Sequence, residues 1–209
     1  MSKEVVWASN AMINPAMLRP ITHGFSDNDA NLQKAILTKR ANNAGQSLGP
    51  EGFSPEIFVA KGAKTNYETL PELFYAGSYW IVSGEVADVM RKFDLGNGHL
   101  YPTSVFRKDR KTPIGDTWFH LNFGNVKAAF SAENSTGVSR FGSGTTDRWN
   151  APTILKDNML SLSEEALVGP DIWVDSKLFN IFFVSDRLAK ALKDAGVARA
   201  FGFKKCKVI

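Results

Sequence analysis

The residues best suited to chemistry are three histidines, one cysteine, a glycine-rich loop and a group of carboxylates, and their spacing argues against a catalytic or metal centre. His23, His99 and His120 are far apart and lack the i, i+4 pairing that sets two imidazoles on one helix face for zinc. His120 falls on the polar side of an alternating segment and reads as a surface or hydrogen-bonded histidine. Cys206 stands among Lys204, Lys205 and Lys207, whose charge favours a thiolate. No nucleophile context surrounds it, and it reads as structural. Gly142-Ser143-Gly144-Thr145-Thr146 has the composition of a phosphate cradle but lacks the P-loop lysine, and no buried strand leads into it. A flexible loop is the better account. Glu164, Glu165, Asp171 and Asp175 are close in sequence, but acid–base work needs a separation set by the fold. Glu164 and Glu165 follow Ser163 and suit the first turn of a helix, where negative charge meets the dipole. No catalytic residue, metal or cofactor is expected.

Recognition chemistry has better candidates. Of the five tryptophans, Trp80 and Trp173 lie in apolar segments and belong in a core. Trp149 lies instead in a segment, 131–152, rich in Ser, Thr, Gly and Asn, together with Arg140, Phe141 and Arg148. Long polar loops are uncommon in compact domains unless functional or disordered. Tryptophan and arginine are the residues enriched where interfaces concentrate their energy. Arg140, Phe141, Arg148 and Trp149 are therefore the candidate partner-binding residues. The competing reading folds the aromatic back onto the core.

These residues need a scaffold, and the periodicities predict an α+β one. Asp27 or Asn28 can cap a helix whose apolar stripe is Leu32, Ile36 and Leu37, ended by Asn42-Asn43-Ala44-Gly45. Residues 45–56 read as an exposed connection and Ile57-Phe58-Val59 as a strand. Tyr79-Trp80-Ile81-Val82 is a strand ending on a capping Ser83. Val86, Val89, Met90 and Phe93 then mark one helix face, closed by Gly96 and Gly98. Leu100 to Phe106 reads as a strand, at an edge because Pro102 cannot donate to a ladder. Trp118 to Phe123 alternates as a half-buried strand that Val126 to Phe130 continues past Gly124. Ile181 to Val184, Ser185 and the face Leu188, Ala191, Leu192 and Ala195 repeat the earlier grammar at a spacing of 102 (185 − 83). Gly196 stops that helix, and a last strand runs through Phe201, Phe203 and Val208. Two similar strand–helix–strand units, from duplication or from two uses of one packing solution, are thus expected around a mixed or antiparallel sheet with flanking helices.

With 209 residues, 44% hydrophobic and 22% charged, the chain suits one globular domain over 1–209. Its formal charge of +4 and pI near 9.1 come from dispersed residues. The exceptions, Arg107 to Lys111 and Lys204 to Lys207, read as a solvated turn and tail, not a nucleic-acid surface. One cysteine builds no internal disulfide. There is no secretory h-region at the start and no membrane-spanning run. The expected location is the cytoplasm.

The segment Tyr79-Trp80-Ile81-Val82-Ser83, with Ala87-Asp88-Val89 and Phe93-Asp94-Leu95-Gly96, resembles the bacterial immunity-protein family numbered eleven in polymorphic toxin systems. So does the ending: Asp171-Ile172-Trp173-Val174-Asp175, Leu178-Phe179, Phe183-Val184-Ser185-Asp186-Arg187-Leu188 and Ala195-Gly196. The resemblance covers roughly 70–209; residues 1–69 carry none. It implies a non-enzymatic protein that binds a cognate toxin and neutralises it, with no catalytic residues to carry over. The alternatives are an interaction protein unrelated to toxins and an enzyme whose site assembles from dispersed residues. A deep pocket with convergent polar groups would mark the enzyme.

Overall fold

A computed structural model describes residues 5–23, 29–65, 67–142 and 147–209. In chain order, β1 (Val6–Ser9) and β2 (Ile21–His23) precede α1 (Asp29–Asn43). Then β3 (Glu56–Val59), β4 (Leu73–Ala76) and β5 (Tyr79–Ser83) lead into α2 (Gly84–Met90), followed by β6 (His99–Phe106) and β7 (Trp118–Asn122). Short strands follow: β8 (Val126–Lys127), β9 (Phe130–Ser131), β10 (Ser139–Arg140), β11 (Trp149–Asn150) and β12 (Ser161–Leu162). The chain closes with β13 (Ile172–Asp175), β14 (Leu178–Phe179), β15 (Phe182–Ser185), α3 (Asp186–Asp194), β16 (Phe203–Lys205) and β17 (Lys207–Val208). The fold is α+β, but it divides the strands among several sheets where one was expected. The two largest are mixed, a six-stranded sheet ordered β2-β3-β6-β7-β5-β4 and a five-stranded sheet ordered β16-β1-β15-β13-β8.

Strand alternation places one core between these sheets and one behind each. In β5, Trp80 and Val82 face the shared core while Tyr79 and Ile81 face the outer one. In β15, Phe182 and Val184 join the shared core and Phe183 packs behind with Trp173. Helices α2 and α3 fill the shared core through Val86, Ala87 and Met90 and through Leu188, Ala189 and Leu192, all solvent-inaccessible. Burying each large side chain stabilises by about 1.5–3 kcal/mol.

Both helices start the same way. The Ser83 hydroxyl accepts from the Val86 N–H (3.3 Å) and donates to the Glu72 carboxylate, while its own N–H reaches the Glu72 carbonyl (3.0 Å). Ser185 accepts from the Leu188 N–H (3.2 Å), donates to Asp171, and its N–H reaches the Asp171 carbonyl (2.9 Å). Each serine thus ties a helix start to the preceding antiparallel pair, β4–β5 or β13–β15. Beyond the helices the paths differ. α2 leads to β6, paired with β7, whereas α3 leads through a 3-10 turn at Arg199–Phe201 to β16, paired with β1.

Several sequence expectations are corrected. Strand β6 is interior, not an edge. Pro102 is accommodated because β6 changes partners midway: β7 pairs with His99 to Thr103, and β3 joins only from Ser104. Strand β7 is buried on both faces, with His120 and Asn122 at 0% exposure. The chain does not continue β7 past Gly124 but crosses into the other sheet, where β8 pairs with β13. At that crossing Gly124 has φ +63°, and a Cβ there would lie 2.0 Å from the Asn97 carbonyl oxygen.

The stripe of α1 is also different. Leu32 and Leu37 are exposed, and the buried face is Ala35, Thr38 and Asn42. Asn42 replaces apolar area with hydrogen bonds. Its amide donates to the Leu121 carbonyl (2.9 Å) and accepts from the Phe123 N–H and the Asn122 amide (both 2.9 Å). Within 45–56, Phe53 and Ser54 are buried, so that connection is only partly exposed. Helix α2 ends at Met90, ahead of the glycines, and Phe201 belongs to the 3-10 turn and not to a strand. The proposed caps Asp27 and Asn28 lie outside the described residues.

Candidate partner-binding surface

Trp149 and Arg140 are brought together by a short antiparallel ladder. Arg140 pairs with Trp149 and Ser139 with Asn150, and the Phe141 N–H donates to the Arg148 carbonyl (2.7 Å). The ladder is then stitched to β14: Trp149 is in parallel register with Leu178 and Asn150 with Phe179, and the Trp149 N–H donates to the Lys177 carbonyl (2.7 Å). Ser139–Arg140 and Trp149–Asn150 are thus attached to the scaffold by main chain.

The turn beneath is fixed by Asp175. Its carboxylate is buried and accepts from the Ala129 and Phe130 N–H groups (both 2.9 Å) and from the Lys177 N–H (2.8 Å). Burial pushes its pKa up, against the pull of those backbone donors.

The candidate residues form two contact pairs: Phe141 and Arg148 meet at Phe179, and Arg140 meets Trp149. The Phe179 ring lies 4.7 Å from that of Phe141, tilted by 35°, and the Arg148 guanidinium stands 5.1 Å from its centroid. The Arg140 guanidinium stands 5.3 Å from the Trp149 ring. Both distances are within cation–π range. Trp149 is half-buried against the core behind the five-stranded sheet, so the fold-back reading holds for part of its ring, while Arg140, Phe141 and Arg148 are exposed. Asp147 accepts from the Trp149 indole (3.1 Å) and pairs with Lys177 (2.7 Å), a hydrogen bond that holds its carboxyl below the usual range. A shallow cleft of about 470 Å3 runs beside the ladder, between Trp149 and Arg140 on one side and Ala129 to Glu133 on the other. Sequence reasoning missed Phe179, Lys177 and Asp147. Their only local signal was the apolar pair Leu178-Phe179 before a turn at Asn180, where φ is +60°. Of the glycine-rich segment, Gly142 lies in a turn and Ser143 to Thr146 fall outside the described residues.

Of the other reactive groups, His99 on β6 is exposed, while His120, Cys206 and Asp171 are enclosed and Lys127 is half-buried. His120 Nε2 is 2.7 Å from the Ser54 carbonyl, which can only accept, so Nε2 carries the proton. Among the described residues its Nδ1 has no hydrogen-bond partner, and Phe53 and Tyr79 pack against the ring. Burial, with a smaller contribution from His23, pushes its pKa down to about 4. Burial pushes the Cys206 thiol up to about 12 despite the nearby lysines. Asp171 is buried and shared between Ser185, Arg187 and the Asp94 N–H. Lys127 rests 3.5 Å above the Trp173 ring, donates to the Ala166 and Pro170 carbonyls (both 3.2 Å), and is pushed down to about 8 by burial. Among the described residues no three His, Cys, Asp or Glu side chains gather as a metal site, and no helix is long and apolar enough to cross a membrane.

No curated protein matches the chain. The family model described as "Immunity protein family (Imm11)" matches residues 12–208. That span includes most of the first 69 residues, for which the sequence motifs indicated no relationship. The match runs from the turn after β1 through β17, taking in α1, α2, α3 and the Trp149 ladder, and the chain belongs to the Imm11 immunity protein family.

Proposed function

We propose that this protein neutralises a cognate bacterial toxin in the cytoplasm by binding it, and that Arg140, Phe141, Arg148 and Trp149 form part of the contact. The observation that carries this reading is the side chains of the ladder: the Arg148 guanidinium and the Phe141 ring contact Phe179, the Arg140 guanidinium contacts the Trp149 ring, and main-chain hydrogen bonds mount the strands that carry them. Interfaces concentrate their energy in such anchors, and a rigid mount reduces the ordering cost of binding. An inhibitor of this kind needs no reactive group. The two serine-capped hairpin–helix corners are read as two uses of one packing unit that stiffens the scaffold. The test is co-purification with the product of the adjacent gene, followed by survival of cells expressing both. Trp149→Ala should retain the far-ultraviolet spectrum and lower the affinity at least tenfold. An unchanged affinity, or loss of the fold, removes the ladder from the interface.

A further inference from the structure

We infer that the Trp149 ladder recognises an acidic face of its partner, with Arg148 as the principal carboxylate-binding group and Phe141 as the apolar contact beside it. The inference rests on the toxin-binding reading and adds the chemistry of the surface recognised. Three cations, Arg140, Arg148 and Lys177, border the ladder. The nearby acid Asp147 is already committed to Lys177 and to the Trp149 indole. Arg148 forms no ion pair with any carboxylate of the described residues, yet its guanidinium is placed over the Phe179 ring.

Contact with the ring limits the side chain's freedom while leaving in-plane N–H donors able to grip a carboxylate in two-point fashion. Phe141, 45% exposed, supplies apolar area at the same spot. The chain's formal charge of +4 acts in the same direction at longer range and favours encounter with an acidic partner. A carboxylate-bearing protein fits better than a nucleic acid. The cations here are few and mixed with aromatics, whereas a phosphate backbone calls for a longer basic track.

The test uses two probes against the full chain: the inactive product of the adjacent gene, and a fluorescein-labelled decapeptide of alternating Asp and Glu around one Trp. Expected is at least a tenfold loss of affinity for the gene product in Arg148→Glu, partial recovery in Arg148→Lys, and weakening as salt rises from 50 to 500 mM. The peptide should bind weakly and lose binding in Arg148→Glu. If the gene product binds and Arg148→Glu changes nothing, the acidic-face inference is overturned while the toxin reading stands. If the gene product does not bind but the peptide binds through Arg148, the toxin reading falls and the surface chemistry stands. Binding of a labelled 12-nucleotide single strand that Arg148→Glu abolishes, with no binding of the peptide, would assign the surface to nucleic acid and overturn the inference.

Discussion

Acidification should weaken this fold through His120, and the size of the effect follows from its surroundings. In the folded chain Nε2–H donates to the Ser54 carbonyl, and Nδ1 faces no acceptor within a box formed partly by Phe53 and Tyr79. Protonation would add a second donor with nowhere to point and a charge in an apolar site. The folded pKa is therefore about 4, against 6.5 for the free side chain. Between these values the unfolded chain binds the proton and the folded chain does not, so stability falls as pH drops from 6.5 towards 4 and levels off below. At about 1.4 kcal/mol per pH unit, the limiting loss is on the order of 3 kcal/mol, and roughly 2 kcal/mol is lost by pH 5. Urea unfolding followed by tryptophan fluorescence at pH 7.5, 6 and 5 measures it. His120→Gln keeps a donor for the Ser54 carbonyl and does not titrate, so its stability should change less with pH by about that amount. Identical pH dependence in the two proteins would mean that His120 is not held neutral, and the reasoning would fail.

Other expectations follow from the same packing. Leu192→Asp places a carboxylate in the shared core and should cost about 4 kcal/mol; a circular-dichroism melt matching the unaltered protein would show that α3 presents another face. Asn42→Ala strands the Phe123 N–H and should cost about 2–4 kcal/mol, with faster hydrogen exchange at that amide; unaltered exchange there would refute the link between α1 and β7. The Cys206 thiol should resist a thiol-specific disulfide reagent at pH 8 until denaturant is added, and rapid labelling of the folded protein would contradict its burial.

Local signals carried some elements and missed others for physical reasons. The faces of α2 and α3 were legible only in part: Val86, Met90, Leu188 and Leu192 are buried as the helical spacing predicts, but Ala195 is the exposed C-cap and its place is taken by Ala189, because an Ala stripe carries little apolar area to fix which face turns inward. The face of α1 was misread because Ala35, Thr38 and Asn42 bury it with little apolar area, and the hydrogen bonds that make this stable go to residues about 80 positions away. Pro102 marked an edge correctly only in a local sense, since β6 acquires its second neighbour two residues later. At the surface site, type and composition singled out Arg140, Phe141, Arg148 and Trp149. Phe179, which Phe141 and Arg148 contact, is brought there by the parallel pairing of β11 with β14, and pairing between distant two-residue strands leaves no periodicity to detect.

The way Ser139–Arg140 and Trp149–Asn150 are mounted bears on what exchange of side chains would change at the proposed contact surface. Their connections to β14 run through peptide groups, and the Lys177 carbonyl that receives the Trp149 N–H belongs to a turn held by Asp175, which accepts from the Ala129, Phe130 and Lys177 N–H groups. Peptide groups are the same whatever side chains they carry. On the proposed toxin-binding reading, the exposed Arg140, Phe141 and Arg148 are positions where exchange would leave the backbone ladders in place, so a descendant would track a changing partner by rewriting a few surface letters on an unchanged chassis.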